Sequence, residues 1–175
     1  MVERGKFIVF EGLDGAGLST HSSLLKKWLL ENKYRVHLSA EPTDSPIGSL
    51  IRSMLKNYWQ IPKRPDILAL LYAADRLYHV NFESYGQTGS VGGLQNALHE
   101  GYIVVYNRYI LSSLAYQSVP SSGAEVDIDW LKKINNFTLR NGTPIPDMTI
   151  FLDVPPEECM KRITFERERY ELFET

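Results

Sequence analysis

The sequence predicts an α/β fold, a three-layer doubly wound parallel sheet with helices on both faces. Three observations carry the prediction. Strand-length apolar runs are mostly unbroken rather than alternating, helical stripes sit between them, and a glycine-rich turn joins the first run to the first helix.

The runs fall at residues 7–10, 36–38, 103–106 and 149–154. Their continuity suits strands buried on both faces of a parallel sheet. Between them, Leu24, Leu25, Trp28 and Leu29 form one apolar helical stripe, and Ile67, Leu70, Leu71, Ala74 and Leu77 form another. Residues 82–93 turn to Gly, Ser, Gln and Tyr and read as a loop. A second loop at 119–123 precedes a helix at 127–139. With 175 residues, 43% of them hydrophobic, and no linker or repeat, the chain reads as one domain over 1–175.

Bulk charge narrows the partners. A net charge of −2 gives no footprint for non-specific nucleic-acid or acidic-membrane binding, so an anionic ligand must be held by a local site. The single Cys159 cannot form an intramolecular disulfide, and no apolar stretch has the length of a signal or membrane segment. A cytoplasmic protein that works on small molecules is expected.

The local site is the segment Gly12-Leu13-Asp14-Gly15-Ala16-Gly17-Leu18-Ser19-Thr20, which follows the first strand and opens the first helix. Glycines let such a loop curl with its amides inward, and the helix N-terminus adds partial positive charge. The spacing of Gly12, four residues, Gly17, then a hydroxyl at Ser19 is that of a phosphate-binding loop of the P-loop NTPase type. Leu18 stands where that motif has lysine. The amide cradle survives because it is backbone, whereas a missing transition-state charge costs several kcal/mol.

The remaining motifs resemble thymidylate kinases over roughly residues 5–174. They are Phe10-Glu11-Gly12-Leu13-Asp14-Gly15, Glu41-Pro42, Pro46-Ile47-Gly48 with Ile51-Arg52, Leu71-Tyr72-Ala73-Ala74-Asp75-Arg76, Arg108-Tyr109, Ser112-Ser113-Leu114-Ala115-Tyr116-Gln117, and Pro146-Asp147 through Val154. The resemblance implies transfer of a phosphoryl group from ATP, with Mg2+, to thymidine monophosphate (dTMP), and a homodimer. It assigns Glu41, Arg52, Tyr72, Arg76, Arg108, Ser113 and Gln117 to dTMP. Residues Gly12, Asp14, Gly15, Ala16, Gly17, Leu18, Ser19 and Thr20 go to the ATP phosphates, and the Ser19 hydroxyl goes to the metal. Arg108, Asp14 and two arginines of a lid at about 163–174, Arg167 and Arg169, are assigned to catalysis.

The residue chemistry agrees in part. Tyr72 and Arg76 share one helix face, as do Ser113 and Gln117. An aromatic plane beside a guanidinium suits a nucleobase, and the Gln117 amide can pair with a pyrimidine edge. Standing alone, each pair would read as ordinary polar surface. Asp14 reads equally as a loop cap or as a group near the sugar 3′-hydroxyl.

Three departures bear on activity. Leu18 replaces the loop lysine, Asn107 stands where the family has Asp, and the helix and final strand that follow the lid in family members have no counterpart in the sequence. Arg108, Arg167 or Arg169 are candidates to replace the lost charge. The expected alternative is a nucleotide-binding homologue with impaired transfer. An adenylate or guanylate kinase fits the acceptor motifs poorly.

Overall fold

The computed structural model describes residues 3–56, 64–81, 93–119, 125–136 and 144–166. In chain order the elements are β1 (Phe7–Gly12), α1 (Leu18–Glu31), β2 (Val36–Ala40), α2 (Pro46–Leu55), α3 (Pro65–Asn81), α4 (Gly93–His99), β3 (Ile103–Asn107), α5 (Ile110–Gln117), α6 (Ile128–Asn136), β4 (Met148–Leu152) and α7 (Pro156–Glu166). All four expected strands form, and they pair in parallel in the order β2-β3-β1-β4.

Alternation along β1 divides the core into two halves. Phe7 and Val9 point to one face, where they pack with Val80 of α3 and Leu94, Ala97 and Leu98 of α4. Phe10 points to the other, against Leu18 and Leu29 of α1. Helices therefore cover both faces, as the sequence predicts. β1 lies between β3 and β4, with Phe10 opposite Asn107 and Gly12 opposite Leu152. The chain leaves β1 toward α1 on one face and leaves β3 toward α5, which packs on α3 at the other. The carboxyl ends of β1 and β3 thus form a topological switch point, where an open α/β sheet binds its ligands.

Three expectations about the apolar runs and stripes need correction. β4 lies at one edge of the described sheet, and Met148 and Phe151 are exposed rather than buried on both faces. In α1, Leu25 and Leu29 pack inward, but Leu24 and Trp28 face solvent. The α3 stripe is reversed more completely. Ile67, Leu70, Ala74 and Leu77 are exposed, while Asp75, Arg76 and His79 are buried with Leu68, Ala69, Ala73 and Val80. Only Leu71 of the expected stripe packs inward, against the cluster of Ile51, Met54 and Leu55.

Helix ends fix the loops around the switch point. Ser45 caps α2 by accepting from the Gly48 amide at 3.0 Å, and Pro46 takes the first helical position, where no amide partner is needed. Asp75 holds the preceding turn to α3, accepting from the Thr43 amide at 2.7 Å, the Thr43 hydroxyl at 2.6 Å and the Ser45 hydroxyl at 2.7 Å. The expected helix at 127–139 is α6, and its last three positions lie outside the described residues. So do residues 82–92 of the first expected loop, 120–123 of the second, and the lid beyond residue 166 with Arg167 and Arg169.

Candidate active site

The loop from Gly12 to Gly17 curls as its spacing predicts. Gly15 and Gly17 have φ of 81° and 95°, a left-handed conformation that glycine adopts without strain. Gly15 also has no room for a side chain, because a Cβ there would stand 2.5 Å from the Cys159 carbonyl oxygen of α7. The loop bounds a cleft of about 470 Å³. Residues 14–20 line it, together with Glu41, Asn107, Arg108 and Arg162.

Leu18 begins α1 and is only 6% exposed, packed with Phe10, Leu29 and Val105. The position that would carry a cation anchors the helix to the sheet instead. Ser19, the next residue, takes a hydrogen bond at 2.9 Å from the Asn107 side-chain amide. Both positions are therefore neutral. Among the described residues no group of three His, Cys, Asp or Glu side chains could hold a metal ion. A magnesium ion that keeps several waters and leans on phosphate oxygens needs few protein ligands, and the Ser19 hydroxyl lining the cleft is one oxygen that would meet it.

Arg108 follows β3 with φ of 70° and crosses between the two strands' ends. Its guanidinium donates to the Gly12 carbonyl at 3.1 Å, to the Ser112 hydroxyl at 3.0 Å and to the Asp14 carboxylate, and it lies 5.1 Å from the centre of the Tyr116 ring. Tyr116 donates to the other Asp14 oxygen at 3.3 Å. Glu11 accepts from the Tyr109 amide at 3.0 Å and the Ser112 amide at 3.3 Å, tying the start of α5 to β1.

A second cavity, of about 90 Å³, opens on the far side of Arg108. Asp14, Glu41, Tyr72, Arg108, Ser113, Tyr116 and Gln117 all line it. Gln117 is 2% exposed, and its Oε1 has no hydrogen-bond partner among the described residues. A buried acceptor left open in this way costs free energy unless something donates to it.

Arg76 lies behind this cavity rather than on it. It is 1% exposed, and its Nε spans both Glu41 oxygens at 3.1 and 3.0 Å. The two terminal nitrogens donate to Asn135, to Glu41 and, at 2.8 Å, to the Ser113 hydroxyl. Burial raises the Glu41 carboxyl to about 7 against the attraction of Arg76. Arg76 thus positions two lining residues, Glu41 and Ser113. Arg52 meets the same wall from α2, donating to the Pro42 carbonyl at 2.8 Å and to Asp44 at 3.1 Å.

Of the residues expected from sequence, those of the loop from Asp14 to Thr20 share the first cleft, Gly12 does not line it, and Tyr72, Ser113, Gln117, Glu41 and Arg108 share the second cavity. Glu11, Tyr116, Asn135 and Arg162 were not singled out. Glu11 and Tyr116 lie inside quoted motifs. Asn135 and Arg162 are single polar residues on helices, and only tertiary packing brings them to the site.

A parallel sheet with a glycine cradle at its switch point, opening onto a second, smaller cavity, defines a phosphate-loop nucleotide-binding protein. The sequence matches the family described as Thymidylate kinase over residues 10–175. It is 39% identical over 163 residues to a probable thymidylate kinase of Pyrococcus horikoshii, covering 91% of this chain and 70% of that one. Against a probable thymidylate kinase of Thermococcus gammatolerans the identity is 38% over 169 residues, covering 91% and 70%. The chain belongs to the thymidylate kinase family.

Proposed function

We propose that the protein transfers the γ-phosphoryl group of ATP to dTMP, yielding ADP and dTDP. The observation that carries this reading is the shared wall. Asp14, Glu41 and Arg108 line both the phosphate cleft and the smaller cavity, so a donor in one and an acceptor in the other would meet beside Arg108. An oxygen of the acceptor's 5′-phosphate attacks the γ-phosphorus, and the bond from that phosphorus to the β–γ bridging oxygen breaks, releasing ADP. No covalent protein intermediate is needed, so the chain contributes positioning and charge.

The parts divide accordingly. The amides of residues 14–19 receive the donor phosphates, and the Ser19 hydroxyl would hold a magnesium ion, which would supply neutralisation of phosphate charge. Arg108 serves the passing phosphoryl group, with Arg167 and Arg169 of the lid as further candidates. Arg52 and Arg108 hold the acceptor phosphate. Tyr72 supplies a plane for the base, and the open Gln117 Oε1 accepts from a ring N–H, which thymine has at N3. Arg76, through Glu41 and Ser113, keeps that wall in place.

We also infer a homodimer, supported by the exposed apolar stripe of α3, and a cytoplasmic location. No helix among the described residues is long and apolar enough to cross a membrane.

A second reading, a nucleotide-binding homologue with disabled transfer, draws on Leu18 packed into the core and Asn107 bonded to Ser19. A coupled ADP-release assay with ATP, magnesium and dTMP separates the two. Turnover with dTMP well above that with uridine or adenosine monophosphate is expected. No turnover, together with dTMP binding by calorimetry, would give the second reading the lead.

A further inference from the structure

The phosphate cleft has lost the cation of its own loop, yet it is not without positive charge. Two guanidiniums line it among the described residues, Arg108 and Arg162. Arg108 is 16% exposed and committed to Asp14, Gly12 and Ser112. Arg162 is differently placed. It projects from α7, its side chain is 45% exposed, and its contacts are two long ones, to Glu158 at 3.3 Å and to the Gly15 carbonyl at 3.3 Å.

That geometry brings a cation to the loop from outside it. The position is fixed by close packing, because α7 rests against Gly15 where a Cβ would meet Cys159 at 2.5 Å and Ile163 at 3.1 Å. We infer that Arg162 takes over the charge missing at Leu18, moving from the Gly15 carbonyl onto the donor phosphates when a nucleotide enters the cradle. The exchange is favourable because a guanidinium bonds more strongly to a phosphate oxygen than to a neutral carbonyl, and its planar fork suits phosphate. Its partner Glu158 is half-exposed, so little desolvated pairing is given up.

This inference rests on the donor-phosphate reading of the cleft, and the test separates the two. ATP affinity by calorimetry and turnover by ADP release are measured for the unmodified chain, Arg162→Ala, Arg162→Lys, Leu18→Lys and the Leu18→Lys/Arg162→Ala double variant. Arg162→Ala should weaken ATP about tenfold and lower turnover about 100-fold. Leu18→Lys should recover most of that loss in the double variant while adding less to the unmodified chain, the non-additivity of two groups serving one charge. Arg162→Lys, which keeps the cation, should lose less than Arg162→Ala and gives an answer even where Leu18→Lys does not fold. Unchanged ATP affinity in Arg162→Ala, equal losses with Ala and Lys, or strictly additive effects in the double variant would overturn the inference. Absence of turnover in the unmodified chain, with ATP binding still dependent on Arg162, would overturn the kinase reading and leave this inference standing.

Discussion

The two faces of α3 invert the usual relation between polarity and burial. Its inner face buries Asp75, Arg76 and His79 at 0%, 1% and 5% exposure, and its outer face shows Ile67, Leu70 and Leu77 at 41%, 52% and 36%. An amphipathic pattern says that a helix has two unlike sides, but not which side meets the core. Here the inner side backs the smaller cavity, whose walls carry charge and hydrogen bonds. The outer apolar side then needs a reason of its own.

The sharpest break in the comparison comes from the inner face. Arg76 and Glu41 are both buried, and removing one partner of such a pair costs about 3–5 kcal/mol. The two removals should not be equal. Arg76 cannot shed its proton, so Glu41→Gln leaves an uncompensated buried cation. Glu41 is already raised to about 7 by burial and takes up a proton readily, so Arg76→Met should cost less. Denaturant unfolding is expected to rank Glu41→Gln as the more damaging change, with the double variant milder than Glu41→Gln alone. A loss below about 1 kcal/mol for Glu41→Gln would show that the pair does not hold this wall.

These particular residues also show how far the sequence could be read. The four strands and the phosphate loop were legible because continuous apolar runs and glycine spacing are local signals, and each strand formed where a run predicted it. The shared lining of the smaller cavity was legible only through residue order, since Tyr72 and Gln117 reach it from two different helices. Arg76 could be recognised as belonging to the site, but not as buried behind it. Its partner Asn135 comes from α6, 59 residues away, and nothing in the spacing points to that contact. Arg162 was missed for a related reason, because the signal is Gly15 lacking a side chain under α7, a fact about packing rather than periodicity.

A smaller effect on the same inner face depends on pH. His79 stacks on Tyr106 at 4.6 Å between centroids, and its Nε2 meets the Ser39 hydroxyl at 2.8 Å and the Tyr106 hydroxyl at 3.0 Å. Burial lowers its pKa from 6.5 to about 4, with His37 and Arg76 lowering it further and Asp75 opposing. A depressed folded-state pKa means the stabilisation is present above pH 6.5 and is lost as pH falls toward about 4, up to about 3 kcal/mol. Glu41 works in the opposite direction. Its raised pKa contributes stability below 4.5 that is lost as pH rises through about 7, so the bare stability curve mixes the two. The difference between the unmodified protein and His79→Gln isolates the histidine. Thermal melts across pH 4 to 7 should show the unmodified protein losing ground to the variant on acidification, and a constant gap would mean that His79 does not stay neutral in the fold.

The outer face gives the smallest effect on the fold and the largest on assembly. Exposed apolar residues at 67, 70, 74 and 77 recur at intervals of three and four, so they form one stripe along α3, and burying such a stripe against a second copy releases water from both. Among the described residues Leu70 and Leu77 belong to none of the apolar core clusters, so Leu70→Glu and Leu77→Glu should change protomer stability by no more than about 0.5 kcal/mol. In a dimer joined through this stripe the same charge would have to be buried without a partner, which opposes association strongly. Sedimentation velocity is expected to give a dimer for the unmodified chain and a folded monomer for the double variant. A dimer that survives both glutamates would place the interface elsewhere, and an unmodified chain that sediments as a monomer at micromolar concentration would leave the inverted polarity of α3 to be explained by the cavity alone.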